Sequence, residues 1–322
     1  MIANYELSKV THWLHANRLS INIAKSNYMI FRPRQKRQTS DIRVSICNQD
    51  IFQVKETAFL GVVLDENLTW IPHISNVARK VSKAVGIMSK ASFYLPKRAL
   101  LTLYYSLIYP YLQYCTSVWG STYPSNLNRL FLLQKRAVRI ISNEAFDAHS
   151  DTSFEDLKIL KFNCIYLLHI GKLMFQFKSG MLPHSFDNKF SLNSQNHTYD
   201  TRNSKLFHIP KCRTNLRKFA LRYQGPKFYN SLNADTQKAS TLSSFLTRLK
   251  IFLLDYWGRI HIFMYLCVFP FCRCVHTIFL LHTFCTRFVF VNTCIYVIFL
   301  SKVLLSWFLV TYNMYMLWPW PN

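Results

Sequence analysis

Ten cationic side chains, Arg79, Lys80, Lys83, Lys90, Lys97, Arg98, Arg129, Lys135, Arg136 and Arg139, lie between Asn67 and Asn143, a stretch with no Asp or Glu. Guanidinium and ammonium groups without carboxylates to neutralise them suit contact with phosphate or another polyanion. A surface built only for solubility would mix the two signs. A second acid-free window, Thr201 to Ala234, holds Arg202, Lys205, Lys211, Arg213, Arg217, Lys218, Arg222 and Lys227. The formal net charge of +24 says little about fold, but it points to an anionic partner, nucleic acid or membrane.

Other chemistries find little material. Two-metal catalysis needs carboxylates that clamp ions about 3.5–4 Å apart. The fifteen acids all lie at or before Asp255; none forms an Asp-Asp pair, and the adjacent ones are only Asp65-Glu66 and Glu155-Asp156. No catalytic or metal-binding residue is therefore assigned, and no small-molecule substrate is expected. Cys272 and Cys274, with Cys267, His276, His282 and Cys285, have a spacing that matches no standard zinc knuckle or finger. Cys47, Cys115, Cys164 and Cys212 stand far apart and read as buried or free thiols in a reducing compartment, not as a disulfide framework. Seven glycines leave little for a phosphate-cradling loop, and no Ser-His-Asp or Cys-His arrangement is identifiable. The N-terminus has no basic region followed by an apolar core, so no signal peptide is expected.

The elements that must carry the cations follow from periodicity. Tyr5, Val10, Trp13 and Leu14 predict a short helix ending near Asn17. Residues 42–46 alternate, 47–50 have turn chemistry and 51–54 resume, which predicts a hairpin. Phe59 to Leu64 predicts a third strand, with Gly61 as a bulge or a close approach of another backbone. Past Trp70 the period changes: Ile74, Val77, Ala78, Val81, Val85 and Met88 mark one helical face, with Arg79, Lys80 and Lys83 on the others. Pro96 suits a helix start, and Pro110 must kink or end that helix. A further helix from about Pro124 should bury Leu127, Leu130, Phe131, Ala137, Val138 and Ile141, leaving Arg129, Lys135, Arg136 and Arg139 more exposed. After an acidic loop at 142–153, Leu157 to Phe177 predicts another apolar helix. The fold class is α+β, short strands followed by a mainly helical body.

An ordered series of uncommon residues adds a second kind of information. It runs Phe59-Leu60-Gly61-Val62-Val63-Leu64-Asp65, Trp70, Pro72-His73-Ile74, Leu95-Pro96, Leu103-Tyr104-Tyr105, Ile108-Tyr109-Pro110-Tyr111-Leu112, Val118-Trp119-Gly120, then the basic segment Leu127 to Ile141. This series resembles the region just after the catalytic palm of reverse transcriptases from non-LTR retrotransposons, the jockey-like group in particular. The phrase Asn17 to Phe31 is similar to the one that directly follows that family's metal-binding aspartate pair, which would here lie upstream of Met1. The resemblance implies the end of a palm over residues 1–70, a helical thumb over 71–145 and a downstream helical region over 146–255. It implies a primer-grip role for Phe59, Leu60 and Gly61, with a sheet-edge strand free of nucleic-acid contact as the alternative, and it sets Lys25 near an incoming nucleotide's phosphates, with an ordinary surface lysine at a strand start as the alternative. The partner implied is a template-primer duplex of RNA and DNA, with Mg2+ needed only by a full-length polymerase and no cofactor here. Such a chain would sit in a nuclear or cytoplasmic ribonucleoprotein. Tyr229 and Asn233 stand where the family usually has tryptophan and proline, which suggests drift or loosened constraint.

Two stretches stay open. Arg32-Pro33-Arg34-Gln35-Lys36-Arg37 fits a nuclear localisation patch, a phosphate contact or a solvated loop. Residues 256–322 shift abruptly to apolar composition, and 288–310 is long enough for a membrane span, since about twenty apolar residues suffice. The alternatives are a membrane-associated protein with a basic domain, a tail translated past the element's original end, or a transposon relic without function.

Overall fold

The computed structural model describes residues 2–33, 42–47, 49–196 and 202–255. Helix α1, Ile2–Ala16, buries no residue of its own. Its Leu7 packs with Ile21, Ile23, Tyr28 and Ile42 against a small cluster of Val44, Ile46 and Ile51. Three two-stranded ribbons follow. Strands β1 (Asn27–Tyr28) and β4 (Phe52–Gln53) pair in parallel, β2 (Ser45–Ile46) and β3 (Gln49–Asp50) antiparallel, and β5 (Glu56–Phe59) and β6 (Val62–Asp65) antiparallel.

The hairpin expected over 42–54 is therefore shorter. Its second strand is 49–50, and Phe52–Gln53 turns away to pair with Asn27–Tyr28. The single strand expected over Phe59 to Leu64 is corrected to a second hairpin. Leu60 and Gly61 both have positive φ, 47° and 79°, and form its two-residue turn, so Gly61 is a turn residue and not a bulge. A continuous apolar run hid the reversal because nothing polar marks it.

Helix α2, Ile71–Ala91, begins where Trp70 takes a left-handed φ of 64° and Pro72 fits the first turn. Buried Asp65 holds that entry: one carboxylate oxygen accepts from Thr69 N–H and Oγ1, the other from Trp70 N–H, each at 2.9 Å. This carboxylate is spent on a helix start. The helix buries Ile74, Val77, Ala78, Val81, Val85 and Met88, the expected face. Burying each large apolar side chain contributes about 1.5–3 kcal/mol.

Helix α3 spans Lys97–Leu107 and α4 spans Tyr109–Gln113, with Pro110 in its first turn, so the proline ends one helix and starts the next. After α5, Thr116–Trp119, comes α6, Pro124–Ser142, which ends at Asn143 with φ 56°. Asparagine tolerates that conformation better than most residues. Of the expected α6 core residues, Leu127, Leu130, Ala137, Val138 and Ile141 are buried, while Phe131 is half-buried against Phe154.

A short helix α7, Asp151–Asp156, stands where the periodicity predicts none; the helix expected over Leu157 to Phe177 is α8, Phe162–Lys178, which starts later because Lys158 at φ 52° breaks the chain between them. Helix α2 packs on α6, and α8 packs on α4, α5 and α6. Trp119, fully buried, sits edge-on to His73 and stacks on Phe162.

The last helices are α9 (Asn193–Asn196), α10 (Asn215–Phe219), α11 (Leu221–Asn230), α12 (Ala234–Gln237) and α13 (242–255). Helix α13 lies so close on α8 that a Cβ at Gly171 would fall 2.5 Å from Leu249. Tyr229 is a buried core aromatic against Phe207 and Phe245, and the Asn233 side chain caps α12 by accepting from Thr236 N–H. The Tyr229 hydroxyl is buried without a hydrogen-bond partner among the described residues.

Among the described residues no helix is long and apolar enough to cross a membrane, no His, Cys, Asp or Glu cluster could hold a metal ion, and the cysteines are free thiols. The candidate span 288–310, the Cys267–Cys285 cluster and the tail 256–322 lie outside the described residues.

Candidate nucleic-acid interface

One helical residue turns the chain by about 100°, so the buried stripe of α2 fixes what faces outward. Arg79, Lys83 and Lys90 fall opposite Val77, Val81, Val85 and Met88, and all three are exposed. The row from Arg79 to Lys90 runs about 16 Å, the axial length of about five nucleotides of one strand. Lys80 stands to one side, its ammonium 5.3 Å from the centre of the Tyr111 ring. The Arg79 guanidinium donates to Asn76 Oδ1 at 2.7 Å.

Helix α3 opens on Lys97 and Arg98, both exposed, with no acidic residue in its first turn. Two cations at the positive end of a helix oppose the macrodipole's usual preference, so an anion there is favoured twice over.

On α6 the expected set divides. Arg129 and Arg136 are exposed, and Arg136 lies over Phe146 at 5.5 Å. Lys135 and Arg139 are half-buried, more exposed than the apolar stripe as expected but engaged locally: Lys135 covers the Phe131 ring at 4.8 Å, and Arg139 Nε donates to the Ala148 carbonyl at 2.7 Å. Arg139 thus spends part of its capacity tethering the loop after α6. None of the ten cations forms an ion pair among the described residues.

The β5–β6 turn projects Phe59 and Leu60, which are 64% and 74% exposed. Tyr114, between α4 and α5, donates its hydroxyl to the Leu60 carbonyl at 2.6 Å, so the tip is held against the helical body. Lys25 is exposed at the end of a short 3-10 turn in the N-terminal layer; no hydrogen bond or ion pair joins its side chain to the helices among the described residues. Arg32 is tied down, pairing with Glu66 at 3.0 Å; Arg34 to Arg37 lie outside the described residues.

The fold adds cations that periodicity did not place. Phe219 packs edge-on to Tyr123 at 4.9 Å, and Asn215 Nδ2 donates to the Tyr123 hydroxyl at 3.4 Å. Helix α10, with Arg217 and Lys218, is thereby docked beside the start of α6, and both cations are exposed. The second acid-free window was the available signal; its position beside the first depends on contacts across 92 residues.

His73 lies behind this surface. Its Nδ1 accepts from Val63 N–H at 3.3 Å, which leaves the proton on buried Nε2. Burial, then the charge of Lys80, hold its pKa below the ordinary imidazole value. It works as a neutral structural group.

No family model matches the chain. No solved structure matches it either. Among curated proteins of Drosophila melanogaster, the probable RNA-directed DNA polymerase from transposon X-element is 28% identical over 155 residues, 47% of this chain and 17% of that protein. The probable RNA-directed DNA polymerase from transposon BS is 28% identical over 113 residues, 33% of this chain and 12% of that protein. The RNA-directed DNA polymerase from mobile element jockey is 31% identical over 106 residues, 32% of this chain and 12% of that protein. The matched stretch thus spans no more than 17% of the length of any of these relatives. Over a third to nearly half of its length, the chain is similar to RNA-directed DNA polymerases of non-LTR retrotransposons, jockey among them.

Proposed function

We propose that this chain is the end of the palm of a non-LTR retrotransposon polymerase together with the helical region that follows it, and that residues 71–145 act as its thumb on a template-primer duplex. The observation that carries the reading is the outward row Arg79, Lys83 and Lys90 on α2, continued by Lys97 and Arg98 on α3 and by Arg129 and Arg136 on α6, with no carboxylate in that stretch. A thumb must slide as the primer grows, so it needs contacts that position without reading bases, and phosphate contacts do that. The β5–β6 turn, anchored by Tyr114, is the proposed primer grip, and Lys25 is left to the palm end. With no Asp-Asp pair in its sequence, the chain is proposed to bind without copying; Mg2+ enters only with a full-length polymerase.

The test is duplex binding as a function of salt. If about five phosphates are neutralised, log affinity should fall with log salt at a slope near −4.5, roughly 500-fold between about 50 and 200 mM. Replacing Arg79, Lys83 and Lys90 together by Ala should flatten the slope by up to about 2.7 and weaken all duplex sequences alike. A slope near zero, or one unchanged in the triple variant, would leave these charges as a solvated face. Primer extension by the purified chain above background, abolished by chelating magnesium, would overturn the non-catalytic half.

A further inference from the structure

The turn between α2 and α3 carries the two most exposed aromatic rings of the helical body, Phe93 at 83% and Tyr94 at 88%. They are not on a loose loop. Ser92 N–H donates to Met88 O at 2.9 Å, and Tyr94 and Leu95 N–H both donate to Ala91 O at 3.0 Å, before Pro96 opens α3. The backbone is folded back on the helix end, which holds the rings outward. Lys90 lies in the last turn of α2, and Lys97 and Arg98 are the first two residues of α3, so three cations flank the rings within five residues. The row Arg79, Lys83, Lys90 runs along α2 toward this tip.

Two exposed aromatic rings on a hydrogen-bonded turn, set among cations at the end of the proposed phosphate-binding row, supply what a base-stacking point requires. Every base has a π-face, and cations hold the backbone on either side. Building on the thumb reading, the geometry points to Phe93 and Tyr94 as a stacking platform for an unpaired base of a single strand that leaves the bound duplex. A lipid surface is the less favoured occupant: interfacial binding draws on a long amphipathic helix with a broad apolar face, and here only a short turn is apolar. A second copy of the chain would bring +24 onto +24.

The experiment compares the full chain with a Phe93→Ala/Tyr94→Ala variant on a blunt duplex and on the same duplex bearing a single-stranded tail. 2-Aminopurine is placed at successive tail positions, and anionic phosphatidylserine vesicles form a third arm. The native chain should prefer the tailed duplex about fivefold or more and quench the 2-aminopurine nearest the junction. The double variant should lose both effects yet keep its blunt-duplex affinity, salt slope and melting temperature, because neither ring is buried. A Phe93→Trp/Tyr94→Trp variant should keep the quench. Equal tail preference in native and double variant overturns the platform while the thumb stands. Loss of vesicle binding alone assigns the tip to lipid. If the native chain binds neither duplex, platform and thumb reading fall together.

Discussion

At the scale of the residue, the polar group that most constrains the helical body is Gln134. It is fully buried on α6, donates to Tyr104 Oη and the Leu160 carbonyl at 2.9 Å each, and accepts from Phe162 N–H at 2.8 Å. Those bonds join α3, α6 and the start of α8. Gln134→Leu keeps the approximate volume but leaves three buried groups without partners, so urea melts should show a loss of about 2–4 kcal/mol. Nothing in the sequence marked Gln134, since its partners lie 26 to 30 residues away. The cations were legible because charge asymmetry is a property of composition. Arg139 shows the limit: its charge was visible, its tether to Ala148 was not. His73 and His169 set a pH dependence. Burial first, then Lys80 and Lys172 respectively, hold both pKa values below the ordinary 6.5. The neutral forms are favoured in the folded chain, so their contribution is complete above about pH 6.5 and is lost as pH falls from there through the lowered folded values. The melting temperature should drop between about pH 7.5 and 5.5, and a His73→Gln/His169→Gln variant should show a smaller drop.

At the scale of the element, the long helices were legible, while the strands were legible in place but not in length or pairing. Each long helix has an apolar face that repeats over several turns, so α2 and α6 announce themselves. The ribbons are two to four residues long, and at that length a period of two cannot be told from a continuous apolar run. The β5–β6 turn also keeps a leucine at φ 47°, where glycine or asparagine is ordinarily found. Leu60→Asn should relieve that strain and raise stability by about 0.5–1 kcal/mol in urea melts. Gly61→Ala should cost about 1 kcal/mol or more through its φ of 79°, since the added Cβ would meet only the Tyr114 ring at an ordinary 3.6 Å. If the tip contacts a primer, Leu60→Asn should weaken primer-template binding while strengthening the fold. Equal affinity would assign the exposed leucine no contact.

At the scale of the whole molecule, one chemistry recurs: two acid-free windows, one on α2 to α6 and one on α10 and α11, with α10 docked on Tyr123 at the start of α6. Alanine at Tyr123 should release α10 and so reduce the salt slope of duplex binding, while conservative Tyr123→Phe, which keeps the ring contact with Phe219, should not. The same arrangement makes the free chain an assembly of charges that push on one another. Salt shortens the reach of that repulsion, to about 10 Å at 0.1 M. Raising salt should therefore raise the melting temperature of the unliganded chain, even as it strips nucleic acid from the complex. Without a polyanion the chain should be least stable in dilute buffer, and heparin, which supplies counter-charge without bases, should restore it. The helical body would then gain its full rigidity only once its cations are matched, making the bound polyanion a structural counterion as well as a ligand.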